Sequence, residues 1–165
     1  MTGRVTERVT GWTSTDVATT LRRGILALAA IGIAGTTVEL VFLRHWSGAT
    51  QLVVWPAMLL LVVGLWVVVR RPSVSGIRWA RILSATVLVF AAVGIALHVR
   101  GNLEAGPLDR VYATTWDGLS SLEQWWLAIT GGVGPAPVLA PGALSEIALM
   151  ILLATVAHPA LRPAD

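Results

Sequence analysis

The sequence predicts an all-α, polytopic membrane protein: a four-transmembrane-helix bundle with a short interfacial helix in its long outer loop. Three observations predict it. Of 165 residues, 55% are apolar and only 13% charged, about half the charged share of an ordinary soluble domain, and the mean hydropathy is +0.74. The apolar residues gather in runs long enough to cross a bilayer. The charges that lie between those runs are sorted by sign.

In chain order, residues 1–20 hold seven threonines and no apolar periodicity. They read as a flexible cytoplasmic tail, with room for a short interfacial helix around Trp12 to Leu21. Residues 24–43 form a first span with one charge, Glu39, residues 52–69 a second with none, and residues 82–99 a third in which His98 is the only ionisable group. Each approaches the roughly 20 apolar residues that cross about 30 Å of hydrocarbon. The fourth apolar run, residues 143–157, reaches 20 residues when it is extended back to Val138, and the span is set at about 140–157. That extension places Pro141 in the first turn, where its missing N–H costs nothing. A re-entrant or interfacial helix is the alternative there. Residues 161–165 read as a second cytoplasmic tail.

The outer loop, residues 100–139, is the one sizeable segment between spans. Within it Ser120-Ser121-Leu122-Glu123 has the form of a capping box. It predicts a short helix to about Ile129, stopped by Gly131-Gly132. Trp125 and Trp126 ride on that helix. With Trp46 they are expected to anchor at headgroup level; the alternative for the paired Trp is a lid over the outer face of the bundle.

All twelve basic residues are Arg. Nine flank the predicted termini and the 70–81 loop; Arg44, Arg100 and Arg110 lie on the other side. The positive-inside rule then places both termini in the cytoplasm of a bacterial inner membrane. Six of the nine acids run the opposite way, leaving the inner side net +6 and the outer side net −3. These Arg residues form no stripe interleaved with aromatics, so no nucleic acid is expected as a partner. The 70–81 loop should sit against anionic headgroups. The first apolar run exceeds the 7–15 residues of a signal-peptide core, so it is expected to be retained. Cysteine is absent, which excludes disulfide exchange, thiolate metal sites and iron–sulfur clusters.

Topology gathers Glu39, His45, His98, Asn102, Glu104 and Glu146 at the outer end, and puts His158 at the opposite one. Glu39 lies about 7 Å inside Arg44 along a helix. An ionisable group within a span is a functional-site hypothesis by default. Gly35 and Gly32, one and two turns back, predict that it faces a close helix contact. His98 and Asn102 share a helix face if the third helix continues, together with Gly94, Ala91 and Ser84. Glu39, His98, Asn102 and Glu104 are therefore candidates for ligand binding or proton relay. Glu39, His45 and His98 are candidate ligands for a divalent metal, and the two His for an axially held haem. None of these sets has diagnostic spacing. A structural reading stands beside them: Glu39 pairs with Arg44, Arg100 or His98, Glu146 serves a helix N-terminus, and His45 is an interface residue.

No Ser/His/Asp set and no paired carboxylates at fixed spacing point to an enzyme. The expectation is a non-enzymatic accessory or binding subunit, embedded in the lipid bilayer with a membrane protein partner or as a homo-oligomer. The alternative is a metal-, haem- or small-ligand-binding protein with a redox or transport role. Export in the manner of small four-span exporters fits poorly, because the charge bias is strong and Glu39 lies away from mid-membrane.

The chain resembles small four-span bacterial membrane proteins of actinobacterial type. The resemblance rests on Glu39-Leu40, His45, Gln51-Leu52, Pro56, His98, Asn102, Glu104 and Leu139-Ala140-Pro141-Gly142. It covers about residues 24–160 through short motifs. It implies the four-span fold and directs attention to the outer-face polar residues, but implies no activity.

Overall fold

The structure, a computed structural model, describes residues 13–161. Every regular element among them is helical. Three helices are long and apolar enough to cross a membrane: α1 (Ser14–Phe42), α2 (Val54–Arg70, entered through a 3-10 turn at Gln51–Val53) and α3 (Val74–Ala105). Two shorter helices follow, α4 (Ser121–Thr130) and α5 (Gly142–Ala154). Three helices, against four predicted spans, thus reach spanning length. The 13 residues of α5 rise only about 20 Å at 1.5 Å each.

α1 starts at Ser14, ahead of the predicted span, so the latter part of the predicted tail is helical. The cause is a capping box. Thr13 Oγ accepts the Asp16 N–H at 3.2 Å, and the Asp16 carboxylate accepts the Thr13 N–H at 3.0 Å. Two N–H groups that the helix cannot pair are thereby satisfied. The rest of that tail, residues 1–12, and residues 162–165 of the C-terminal tail lie outside the described residues.

α1 ends in a Schellman motif. The His45 N–H reaches Leu40 O at 2.9 Å and the Arg44 N–H reaches Val41 O at 3.0 Å. The motif requires a left-handed residue, usually Gly; Arg44 supplies it at φ 48°, at a cost of roughly 1–2 kcal/mol. The turn fixes His45 beside the entry to α2. There the Trp55 indole N–H donates to His45 O at 2.9 Å, and the Trp46 ring lies 6.3 Å from that of Trp55.

α2 packs along α3, and α5 lies between α1 and α3. Small residues allow the close approaches. A Cβ on Gly32 would stand 2.9 Å from Ile147 Cγ1, so α1 meets α5 there. Gly64 faces Ala80 and Ser84 across the α2–α3 contact. A Cβ on Gly94 would stand 3.0 Å from Pro141, where α3 meets the start of α5. The main core runs through these contacts and includes Leu61, Ile77, Val87 and Ile151, each fully buried.

The predicted loop from residue 100 is not open. α3 continues to Ala105, and a second core of Val99, Trp116, Ala128, Val133 and Val138 forms beyond the first. Trp116 sits over Gly106, where any side chain would collide with the indole. α4 has the predicted capping box: Ser120 Oγ accepts the Glu123 N–H at 3.3 Å, and the Glu123 carboxylate accepts the Ser120 N–H at 2.8 Å. Those bonds to Ser120 hold the Glu123 carboxyl below its ordinary pKa. Gly131 ends the helix at φ 72°, as its lack of a Cβ allows.

The two ends of the bundle differ in charge. The basic end carries Arg22, Arg23, Arg70, Arg71, Arg78 and Arg81. Here two Arg residues grip the last turn of α5. Arg22 of α1 donates to Ala154 O at 2.9 Å and reaches Val156 O and Ala157 O at 3.4 Å. Arg81 of α3 donates to Thr155 Oγ at 2.9 Å and Thr155 O at 2.8 Å. The final carbonyls of a helix have no partners within it and carry partial negative charge, so two cations are well placed there.

His158 lies beside this grip, nine-tenths buried, its Nδ1 accepting the Ala160 N–H at 3.2 Å. An accepting Nδ1 carries no proton. Burial first, and the Arg22 charge second, hold this imidazole below its ordinary pKa. Protonation then favours the unfolded chain. The contribution is complete above the ordinary value near 6.5 and is lost as pH falls below it. The His158→Gln variant is expected to lose less thermal stability between pH 7.5 and pH 5 than the parent, measured by unfolding in mild detergent.

Candidate functional site

At the acidic end, α1, the start of α2, α3 and the lead-in to α5 enclose a cavity of about 740 Å³. α1 contributes Thr36, Glu39 and Leu40, and its C-cap Leu43; α3 contributes Phe90, Gly94, Leu97, His98, Arg100, Gly101 and Glu104. The turn after α1 adds His45, Thr50 and Gln51, and the proline-rich lead-in closes the remaining side. Leu40, Ala57 and Leu144 belong at once to this wall and to the main core. Its volume falls within the roughly 300–1,000 Å³ of small-molecule pockets.

Four predicted residues, Glu39, His45, His98 and Glu104, line this one cavity. Glu146 does not; it is exposed on α5. Asn102 is fully buried but takes no part in the lining. Its amide nitrogen donates to Ala128 O at 3.1 Å and Ala136 O at 2.9 Å, and its Oδ1 accepts the Ala136 N–H at 2.9 Å. One side chain thus pairs backbone groups of α4 and of the irregular lead-in. Gly134 packs directly on it at φ 76°, where a Cβ would collide with Asn102. His98 does related work. Its Nδ1 lies 2.8 Å from Pro137 O, and since a carbonyl only accepts, that nitrogen carries the proton.

The remaining polar groups differ in how far they are engaged. Arg100 and Glu104 form an exposed ion pair at 2.8 Å, one turn apart on α3. Burial, and behind it the charge of His98, hold His45 below its ordinary pKa. Gln51 Oε1 accepts the Ser47 N–H at 2.8 Å. The Glu39 carboxylate has no hydrogen-bond or ion-pair partner among the described residues; the pairings expected with Arg44, Arg100 or His98 are not made. Gly35, expected to bring a helix against Glu39, has open space beside it. Glu39 therefore faces the cavity in place of a helix contact. Among the described residues no three His, Asp or Glu side chains come together as a metal-holding group, so Glu39, His45 and His98 share a cavity without converging on a point.

Of the expected anchors, Trp46, Trp125 and Trp126 are all exposed, the last two on α4. A second, shallower groove of about 440 Å³ lies at the basic end between α2 and α3, where the Arg71 guanidinium stands 5.6 Å from the Trp66 ring centroid.

Sequence reasoning missed the two-Arg grip on α5, the clamp role of Asn102, the core around Trp116, and Thr36, Phe90 and Gly101 as cavity residues. Gly134 was the available signal for the clamp: a Gly between Val133 and Pro135 marks a backbone position closed to other residues. Compared with models of protein families, with curated proteins and with solved structures, the chain matches none.

Proposed function

We propose that the protein is a four-crossing membrane protein that binds a small molecule, without chemistry, in the cavity at its acidic end. The observation that carries the reading is the cavity itself: of small-molecule size, mostly apolar in its lining, with polar side chains from α1, α3 and the turn after α1. Among the described lining residues no hydroxyl hydrogen-bonds an imidazole or a carboxylate, as a nucleophile does its base.

The fourth crossing is α5 together with its lead-in. On α3, Arg81 and Asn102 stand 21 residues apart, a rise of roughly 31 Å, close to a hydrocarbon thickness. The segment from Ala136, bound to Asn102, to Thr155, bound to Arg81, covers the same height. Irregular backbone at membrane depth is tolerated where protein groups satisfy it or where it lines a cavity; residues 135–137 do both. The sorted charges support both termini in the cytoplasm, with Trp46, Trp125 and Trp126 at the outer headgroups.

The test uses Gly101. It lines the cavity, and a Cβ built there meets nothing within 4 Å, so the Gly101→Trp variant should fill the space while the bundle stands. Native mass spectrometry of protein extracted gently from its own membranes should show a small molecule at about one per chain, absent from Gly101→Trp. Equal occupancy in the two proteins, or none in the parent, contradicts the proposal.

A further inference from the structure

We propose that the cavity is selective for a monovalent organic cation with an apolar body, its charge placed against Glu39. The inference rests on the binding reading above and names the ligand class. It follows from the charges in the lining. Arg100 and Glu104 neutralise each other at 2.8 Å. His45 is disfavoured as a cation. The Nδ1–H of His98 is taken by Pro137 O. Glu39 is left as a carboxylate that the described residues do not pair, one turn inside the end of α1 and next to the apolar walls of Leu40, Leu43 and Phe90.

Glu39 is exposed in the protein itself, so its cost arises in the bilayer, where an ionisable side chain within a span needs a counter-charge. An anion would be repelled by Glu39 and would have to displace Glu104 to reach Arg100. A small inorganic cation suits the site poorly, because such ions demand several oxygen ligands and no three acidic or imidazole side chains gather here among the described residues. A quaternary ammonium or phosphonium differs on both counts. Its charge is spread and weakly hydrated, so it needs one counter-charge and many apolar contacts, which is what the walls supply.

The test compares tetraphenylphosphonium with tetraphenylborate, ions of the same shape and opposite charge. Binding is measured by equilibrium dialysis against the protein in lipid nanodiscs, with empty nanodiscs subtracted. The parent is expected to prefer the phosphonium. Glu39→Gln should weaken phosphonium binding roughly tenfold or more, the scale of losing a close opposite charge near a surface. Glu39→Asp, which keeps the charge, should retain most of the preference. Gly101→Trp should abolish cavity binding. If both ions bind equally, or Glu39→Gln leaves phosphonium binding unchanged while Gly101→Trp removes it, the cation inference fails and the cavity reading stands. If Gly101→Trp changes the binding of neither ion, the cavity reading fails as well.

Discussion

Replacing Asn102 by Ala should remove the largest share of stability of any single polar substitution in the protein. The side chain is fully buried and makes three hydrogen bonds, two to Ala136 and one to Ala128. Truncation leaves three backbone groups without partners, the Ala128 carbonyl buried and the two Ala136 groups part-buried beside the cavity. Each orphaned group costs on the order of 1–3 kcal/mol, so a loss of roughly 3 kcal/mol or more is expected, read as a shift in the unfolding midpoint in detergent. The damage should also be local. Residues 131–141 should become open to limited proteolysis while α1 to α3 stay protected. Asn102→Asp keeps the acceptor for the Ala136 N–H but, when ionised, turns a carboxylate oxygen toward the Ala128 and Ala136 carbonyls in a buried site, and should be no more stable than Ala. A midpoint within about 0.5 kcal/mol of the parent, the size of an ordinary surface change, would show that the lead-in is held by other means.

The second large effect is expected at the basic end. Arg81 makes two short bonds to Thr155, a residue only 1% exposed. Charge-assisted bonds of this kind are worth about 1.5–3 kcal/mol each, so Arg81→Met should cost roughly 2–4 kcal/mol. Arg81→Lys should recover only part of it, because an ammonium cannot offer the planar fork that reaches Oγ and O together. Arg22→Met should cost less, since two of its three contacts are at 3.4 Å. The two Arg side chains hold the same helix end, so the double variant should depart from the sum of the singles. Thermal unfolding of the four proteins in one detergent checks this; additivity within about 0.5 kcal/mol would show that the two arms act independently.

Much of this architecture was legible in the chain, and what was not has a physical cause. The capping box at Ser120 and Glu123 and the stop at Gly131 were readable because caps are local: donor and acceptor lie three residues apart. The gathering of Glu39, His45, His98 and Glu104 was readable because topology alone sends them to one end. Their separate roles were not. Asn102 and His98 act on backbone groups 26 to 39 residues away, in a segment whose prolines and glycines carry no periodic signal. Arg22 and Arg81 read as determinants of topology, since nothing local shows that α5 stops between them. α3 outruns its apolar core because its last turns pack on Trp116 and Val133, a contact that hydropathy does not register. The length of α5 misled for the opposite reason: the apolar run is long, but Pro137 and Pro141 keep its first part out of the helix.

Together these features divide the polar residues of the acidic end into two groups. Asn102 and His98 bind the lead-in to α5; Glu39 is left facing the cavity. The chain has no native cysteine, so a single introduced thiol reports on that cavity directly. The decisive measurement is the labelling rate of the Thr36→Cys variant by a membrane-impermeant maleimide on intact cells, with Ser75→Cys at the basic end as control. Thr36→Cys is expected to be labelled from outside and to be protected by tetraphenylphosphonium but not by tetraphenylborate. Ser75→Cys is expected to be labelled only after the cells are opened. Labelling of Ser75→Cys from outside, or Thr36→Cys labelling that neither ion alters, would contradict the proposed topology and site.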